Sequence, residues 1–243
     1  MPDQDVWKTG EASKLFLNEV RGGIPLAAEQ LGILSRLVAA ARPALRDFLD
    51  LGCGNAILGR ALLRRFPQAQ GVFLDFSTPM LQAARAELPG AHGHRFVQAD
   101  LSVSSWCEQL GSGAFFDAVV SGFAIHHLTD ARKRELYAEI QRLLRPGGIF
   151  LNLEHVSSPT PWLAEVNDEL FVDSLYSYQL SKGCNPTRAE LSAMYRERKD
   201  RQANILAPVE TQCAWLRELG FQHVDCYFKV FELALFGGVK REA

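Results

Sequence analysis

The sequence predicts an α/β fold organised as a doubly wound, mostly parallel sheet, and three observations predict it. Short apolar runs alternate with amphipathic helical patterns over about residues 46–156, and strand–helix–strand repetition at this spacing requires right-handed crossovers between parallel strands. A glycine turn, Gly52-Cys53-Gly54, joins the first run to the helix that follows. Acidic residues, Asp50, Asp75 and Asp100, stand at the ends of the first three runs, on the sheet edge where open α/β sheets hold their ligands.

In chain order, residues 12–20 carry Leu15, Phe16 and Val20 at helical spacing. Arg21-Gly22-Gly23-Ile24-Pro25 reads as a loop, and Leu31, Leu34, Leu37 and Val38 mark one face of a second helix. Strands are expected at 48–51, 72–76, 95–99, 115–121 and 149–155, with helices at 55–66, 79–88 and 131–144 between several of them. Gly147-Gly148 after Arg145-Pro146 stops the last of these helices and launches the fifth strand. A break at 157–161 opens a helical, aromatic and charged stretch, 162–200. Pro208 then starts a helix with Trp215, Leu216 and Leu219 on its apolar side, Gly220 stops it, and strand-like runs at 224–228 and 231–236 finish the chain. No repeat or composition break divides the sequence. Residues 1–243 therefore read as one domain: an N-terminal helical cap (1–43), a ligand-binding core (44–156), a helical lid insertion (157–207), and a C-terminal helix and strands that complete the sheet (208–243).

Composition narrows the function. The hydrophobic fraction of 47% and charged fraction of 22% suit a globular core and exclude disordered, collagenous and coiled-coil chains. Twenty-six basic residues against 28 acidic ones give a formal net charge of −2, so no broad positive field exists to attract nucleic acid or an anionic membrane. The five cysteines are odd in number and include no C-x-x-C pair, which argues against a disulfide framework and a structural zinc site and for a reducing cytoplasm. The start, Met1-Pro2-Asp3-Gln4-Asp5, lacks the order of a signal peptide, and apolar runs such as 114–125 are too short to span a bilayer. The expectation is a soluble cytoplasmic protein.

The glycine turn discriminates between ligands. A dinucleotide fingerprint needs glycine at position 57, where Ile57 stands. Asp50 lies two residues before the first glycine, and no Lys or Arg intervenes before Arg60. A pyrophosphate would meet negative charge there, whereas a cation would be welcomed. S-adenosylmethionine (SAM) carries a sulfonium and an ammonium group. Asp75 falls 21 residues after Gly54, an offset at which a carboxylate can accept hydrogen bonds from both ribose hydroxyls.

At these residues the sequence resembles the class I SAM-dependent methyltransferases. Asp50 through Gly54 is similar to their first motif, Asp75 to the ribose-gripping acid and Asp100-Leu101 to the adenine-edge motif. Phe116-Asp117-Ala118-Val119-Val120-Ser121 is similar to the strand beneath the reacting methyl, and Leu143-Leu144-Arg145-Pro146-Gly147-Gly148 to the turn before the fifth strand. Ala56 departs from the pattern, standing where many members have a third glycine. The resemblance implies a Rossmann-like sheet of seven strands with the last antiparallel. It implies cofactor contacts from Asp50, Gly52, Cys53 and Gly54 in the first loop, from Asp75, Phe76 and Met80 after the second strand, and from Asp100, Leu101 and Ser121. SAM is then the cofactor and S-adenosylhomocysteine its product, with no metal.

Methyl transfer from a sulfonium is an in-line displacement that needs alignment above all, and a base only where the acceptor must lose a proton. His126, His127 and His155 are the candidate catalytic residues, with Glu154 beside the last. His92-Gly93-His94 reads as a solvated loop. Substrate selection falls to the N-terminal helices and to residues 159–200, where Trp162, Phe171, Tyr176, Tyr178 and Tyr195 supply lid core or pocket lining. Arg196, Arg198, Lys199 and Arg201 read as a solvated face, although one Arg turned inward would favour a carboxylate on the ligand.

The expected function is therefore transfer of the methyl group to an O or N atom of a small-molecule acceptor. Nucleic-acid and membrane partners are not expected, and a homodimer is compatible with the sequence. Val209-Glu210-Thr211, Trp215-Leu216, Gly220-Phe221 and Phe228 are also similar to the end of the carboxy-SAM synthases, and Arg21 through Pro25 to an N-terminal loop of theirs. That likeness implies an alternative, use of a carboxylated SAM derivative. A SAM-binding scaffold without catalysis is a third reading.

Overall fold

A computed structural model describes residues 21–88, 93–198, 201 and 203–242. The helix expected at 12–20, together with His92 and Lys199, lies outside the described residues. The apolar runs become one seven-stranded sheet in the order β3-β2-β1-β4-β5-β7-β6. Strands β1 (Asp47–Leu51), β2 (Gln70–Asp75), β3 (Arg95–Gln98), β4 (Phe116–Gly122) and β5 (Leu144–His155) are parallel. β6 (Phe221–Val230) and β7 (Leu233–Lys240) form an antiparallel hairpin, and β7 joins the sheet antiparallel to β5. This is the expected seven-stranded Rossmann-like arrangement. The chain starts at β1, winds outward to β3, and returns to place β4 on the other side of β1. The strand order therefore reverses between β1 and β4, which opens a crevice at the carboxyl ends of the strands.

The central strands read as unbroken apolar runs because both of their faces are covered. In β1, Phe48 packs with Leu34 and Val38 of helix α1 (Ala27–Ala41) and with Leu62 of α2 (Ile57–Arg65). Leu49 and Leu51 enter the opposite layer, with Trp106 and with Tyr137 of α4 (Asp130–Leu143). Helix α3 (Thr78–Ala86) buries Met80, Leu81 and Ala84. In the segment 157–207, α5 (Pro161–Ser181) begins at Thr160, whose hydroxyl accepts the Leu163 N–H, and α6 (Arg188–Glu197) begins with a Thr187–Glu190 capping box. Phe171, Val172 and Leu175 of α5, Tyr195 of α6 and Leu233 form a small core of their own. The turn Arg21–Gly23 packs against this core so closely that a Cβ on Gly23 would lie 2.5 Å from Leu175 Cδ2. Helix α7 (Val209–Glu218) covers the β6–β7 end.

Two boundaries differ most from the sequence expectation. Helix α4 ends at Leu143, and Leu144 already pairs with Phe116. Gly147, at φ 72°, belongs to an irregular stretch inside β5 rather than to a helix stop. The final strand continues through Gly237 and Gly238 to Lys240. Glycine occurs there because β5 is close: a Cβ on Gly237 would lie 2.0 Å from the Phe150 carbonyl oxygen. Among the described residues, no helix is long and apolar enough to cross a membrane.

Candidate functional site

The crevice at the strand ends is an open cavity of about 1240 Å³, mouth included. Its floor begins at the first glycine turn. Gly52 and Gly54 both take left-handed backbone, at φ 62° and 53°, and a Cβ on Gly52 would meet Ala124 Cβ at 2.2 Å. Glycine is therefore required twice over at position 52, by torsion and by contact. Ala56 also sits at positive φ, 63°, which explains why a third glycine would suit that position.

Asp75 closes the loop from β2. Its carboxylate accepts the N–H of Gly54 and the N–H of Ser77, each at 2.9 Å. Burial raises its pKa above the ordinary carboxylate value, while the backbone donors of Ser77, Gly54 and Phe76 work in the opposite direction. Asp100, after β3, accepts the Ser102 N–H at 2.8 Å and lines the same cavity. Gly52, Gly54, Asp75, Phe76, Met80, Asp100 and Leu101 all line it.

Asp50, Cys53 and Ser121 do not line it. The Asp50 carboxylate accepts the Gly59 N–H at 2.9 Å and ties the turn to α2. The Ser121 hydroxyl donates to the Leu51 carbonyl at 2.9 Å, joining β4 to β1. Cys53 is buried, and its N–H bonds the Leu74 carbonyl, joining β1's turn to β2. All three stand behind the turn and fix its shape. The acidic rim thus consists of two carboxylates facing the cavity, with the third turned into the scaffold.

The three histidines converge at the opposite wall. His126 and His127 occupy a short turn, Ile125–His127, after β4, with ring centres 4.0 Å apart, and the His155 ring lies 5.9 Å from His126. His126 Nδ1 is 2.5 Å from Glu154 Oε1. Glu154 is 1% exposed, and the same oxygen accepts the His155 N–H at 2.9 Å. With the carboxylate accepting, the imidazole proton belongs on Nδ1, which leaves Nε2 the basic nitrogen. Behind the pair, Asn152 Nδ2 is 3.4 Å from both Glu154 Oε2 and the Tyr137 hydroxyl, and that hydroxyl donates to Gln212 at 2.6 Å. His155 Nε2 is 2.6 Å from Glu232, which also accepts from Asn167 of α5. Burial and the neighbouring His126 push the His127 pKa well below the ordinary value.

The His126–Glu154 pairing spans 28 residues and could not be read from spacing. A signal was nevertheless present in β5. Asn152 and Glu154 are alternate residues within an apolar strand, and polar side chains on a buried face imply partners. Segment 157–207 supplies the outer wall through Phe171, Tyr195, Arg198 and Asn204, while Trp162 is 72% exposed.

A family model described as a methyltransferase domain matches residues 49–150. A trans-aconitate 2-methyltransferase of Acidovorax sp. (strain JS42) is 37% identical over 113 residues, which are 46% of this chain and 40% of that protein. A demethylmenaquinone methyltransferase of Clavibacter sepedonicus is 28% identical over 228 residues, covering 90% of this chain and 85% of that one. Among solved structures, an O-methyltransferase family protein from Burkholderia thailandensis superposes with a TM-score of 0.66 at 18% identity, over 96% of this chain and 60% of the other.

Proposed function

We propose that the chain is a class I SAM-dependent methyltransferase and that it methylates an O or N atom of a small molecule whose acceptor group first gives up a proton to His126. The observation that carries this reading is the 2.5 Å contact between His126 Nδ1 and the buried Glu154, on the wall of the cavity that also holds Asp75. The matched relatives named for trans-aconitate and demethylmenaquinone support a small-molecule acceptor without fixing which one.

The cavity's residues suit SAM. Asp75 is held rigid by two backbone N–H groups, so its orientation is set before a ribose arrives. The left-handed glycines let a ligand approach the main chain at Gly52 and Gly54. Asp100 and Leu101 offer a polar edge and an apolar surface to adenine. SAM, when bound, would supply a sulfonium methyl to an acceptor lone pair, the methyl–sulfur bond breaking with its electron pair left on sulfur.

The rest of the chemistry belongs to the chain. His126 Nε2 takes the acceptor's proton, and Glu154 stabilises the imidazolium that results and keeps the ring in one tautomer. Phe171 and Tyr195, with segment 157–207 acting as a lid, exclude water from the cavity. His127, whose pKa is depressed, stays neutral beside the imidazolium and adds no like charge.

The test is S-adenosylhomocysteine production across a panel of phenols, alcohols and amines. His126→Ala and Glu154→Gln are expected to lower kcat by about 10²–10⁴-fold, with SAM affinity retained. Full activity in both variants would refute the proton-transfer role.

A further inference from the structure

We propose that the acceptor carries a carboxylate and that Arg198 receives it; the inference rests on the methyltransferase reading above and names its substrate class. Arg198 follows α6 and lines the same cavity as His126 and His155. Among the described residues lining that cavity it is the one Arg or Lys. The carboxylates that line it, Asp75 and Asp100, are at the β2 and β3 ends. Glu154 and Glu232 stand behind the histidines and are not part of the lining. The cavity is thus polarised, with acid beneath the strand ends at one side and a guanidinium at the other.

The neighbouring arginines do not line the cavity. Arg188 pairs with Glu169 and Asp173, Arg196 with Glu165 and Glu169, and Arg201 makes a forked contact with Asp168 at 3.0 Å. These pairs bind α6 and the chain after it to the acidic side of α5. Arg198 differs from them by standing on the cavity wall. Its guanidinium carbon lies 5.0 Å from the Tyr195 ring centre, and Tyr195 is itself 2% exposed and stacked on Phe171 at 5.3 Å. An aromatic platform of this kind holds a guanidinium in place. A planar carboxylate matches its fork with two charge-assisted hydrogen bonds, which are strong where water is excluded. A carboxylate held there, at the lid, would also orient the opposite end of the acceptor, so the effect should appear in kcat/KM with specificity for acids.

Paired probes test this: 4-hydroxybenzoate, 3-hydroxybenzoate and salicylate against their methyl esters. Binding to the protein saturated with S-adenosylhomocysteine is measured by calorimetry, and turnover by S-adenosylhomocysteine release. In the wild type, acids are expected to surpass their esters by about ten- to a hundredfold. Arg198→Gln should bring acids down to the level of esters without changing S-adenosylhomocysteine affinity, and Arg198→Lys should restore part of the difference. No acid preference anywhere in the panel, or a preference that survives Arg198→Gln, overturns the inference. So does mass spectrometry showing that the purified protein holds a carboxylated SAM that Arg198→Gln releases, because the carboxylate would then belong to the cofactor. Failure of the wild type to bind S-adenosylhomocysteine at all is a separate result, and strikes the methyltransferase reading itself.

Discussion

Ala56 and His127 show what single residues contribute to this site. Ala56 is fully buried at φ 63°, a conformation that costs a non-glycine residue about 1–2 kcal/mol. Ala56→Gly relieves that strain but gives up a buried methyl, about 0.8 kcal/mol, and adds backbone freedom to the unfolded chain, about 0.5–1 kcal/mol. Chemical denaturation should therefore find the two proteins within about 1 kcal/mol of each other, whereas a loss several times larger would mean the turn does not have this torsion. His127 is held neutral in the folded protein, while in the unfolded chain it titrates near 6.5. Below that value the unfolded state binds the extra proton, so this stability is complete above pH 6.5 and is lost as pH falls toward the depressed folded value. Thermal unfolding from pH 7.5 to 5.5 should show a falling Tm, and His127→Gln should flatten that fall. An unchanged slope would contradict the assignment.

At the scale of elements, legibility followed the source of each constraint. β1, β2 and β4 were readable because strands buried on both faces must be apolar throughout. The positions of Gly52 and Gly54 were readable because a turn that tight admits little else. The end of β7 was not, because Gly237 is dictated by the Phe150 carbonyl on a strand more than 80 residues earlier, and a local reading of two glycines suggests a stop. Gly237→Ala should destabilise the protein by about 3 kcal/mol, the upper end for an overpacked site, as measured by denaturant unfolding. A neutral result would mean β7 does not approach β5 as closely as described. The start of β5 was misplaced for a related reason: Arg145-Pro146-Gly147 resembles a helix stop, but pairing of Leu144 with Phe116 recruits it into the strand. In the site, Asp75 and Asp100 were legible as strand-end acids, whereas the inward turn of Asp50 toward Gly59 depends on where α2 lies.

Across the whole molecule, the reversal of strand order between β1 and β4 brings together residues that are far apart in sequence. The carboxylates at the ends of β2 and β3 face one side of the crevice, the histidines at the ends of β4 and β5 the other, and Phe171, Tyr195, Arg198 and Asn204 line it as well. The near-neutral overall charge conceals this local division, with acid placed where a cationic nucleoside would sit and nitrogen bases where an acceptor would meet it. Isothermal titration of S-adenosylhomocysteine into the wild type and Asp75→Asn addresses that division most directly. The account predicts saturable binding by the wild type, weakened about ten- to a hundredfold by Asp75→Asn, the loss expected for charged hydrogen bonds. Equal affinity in the two proteins, or saturation of the same crevice by NAD with no uptake of the adenosyl thioether, would contradict it.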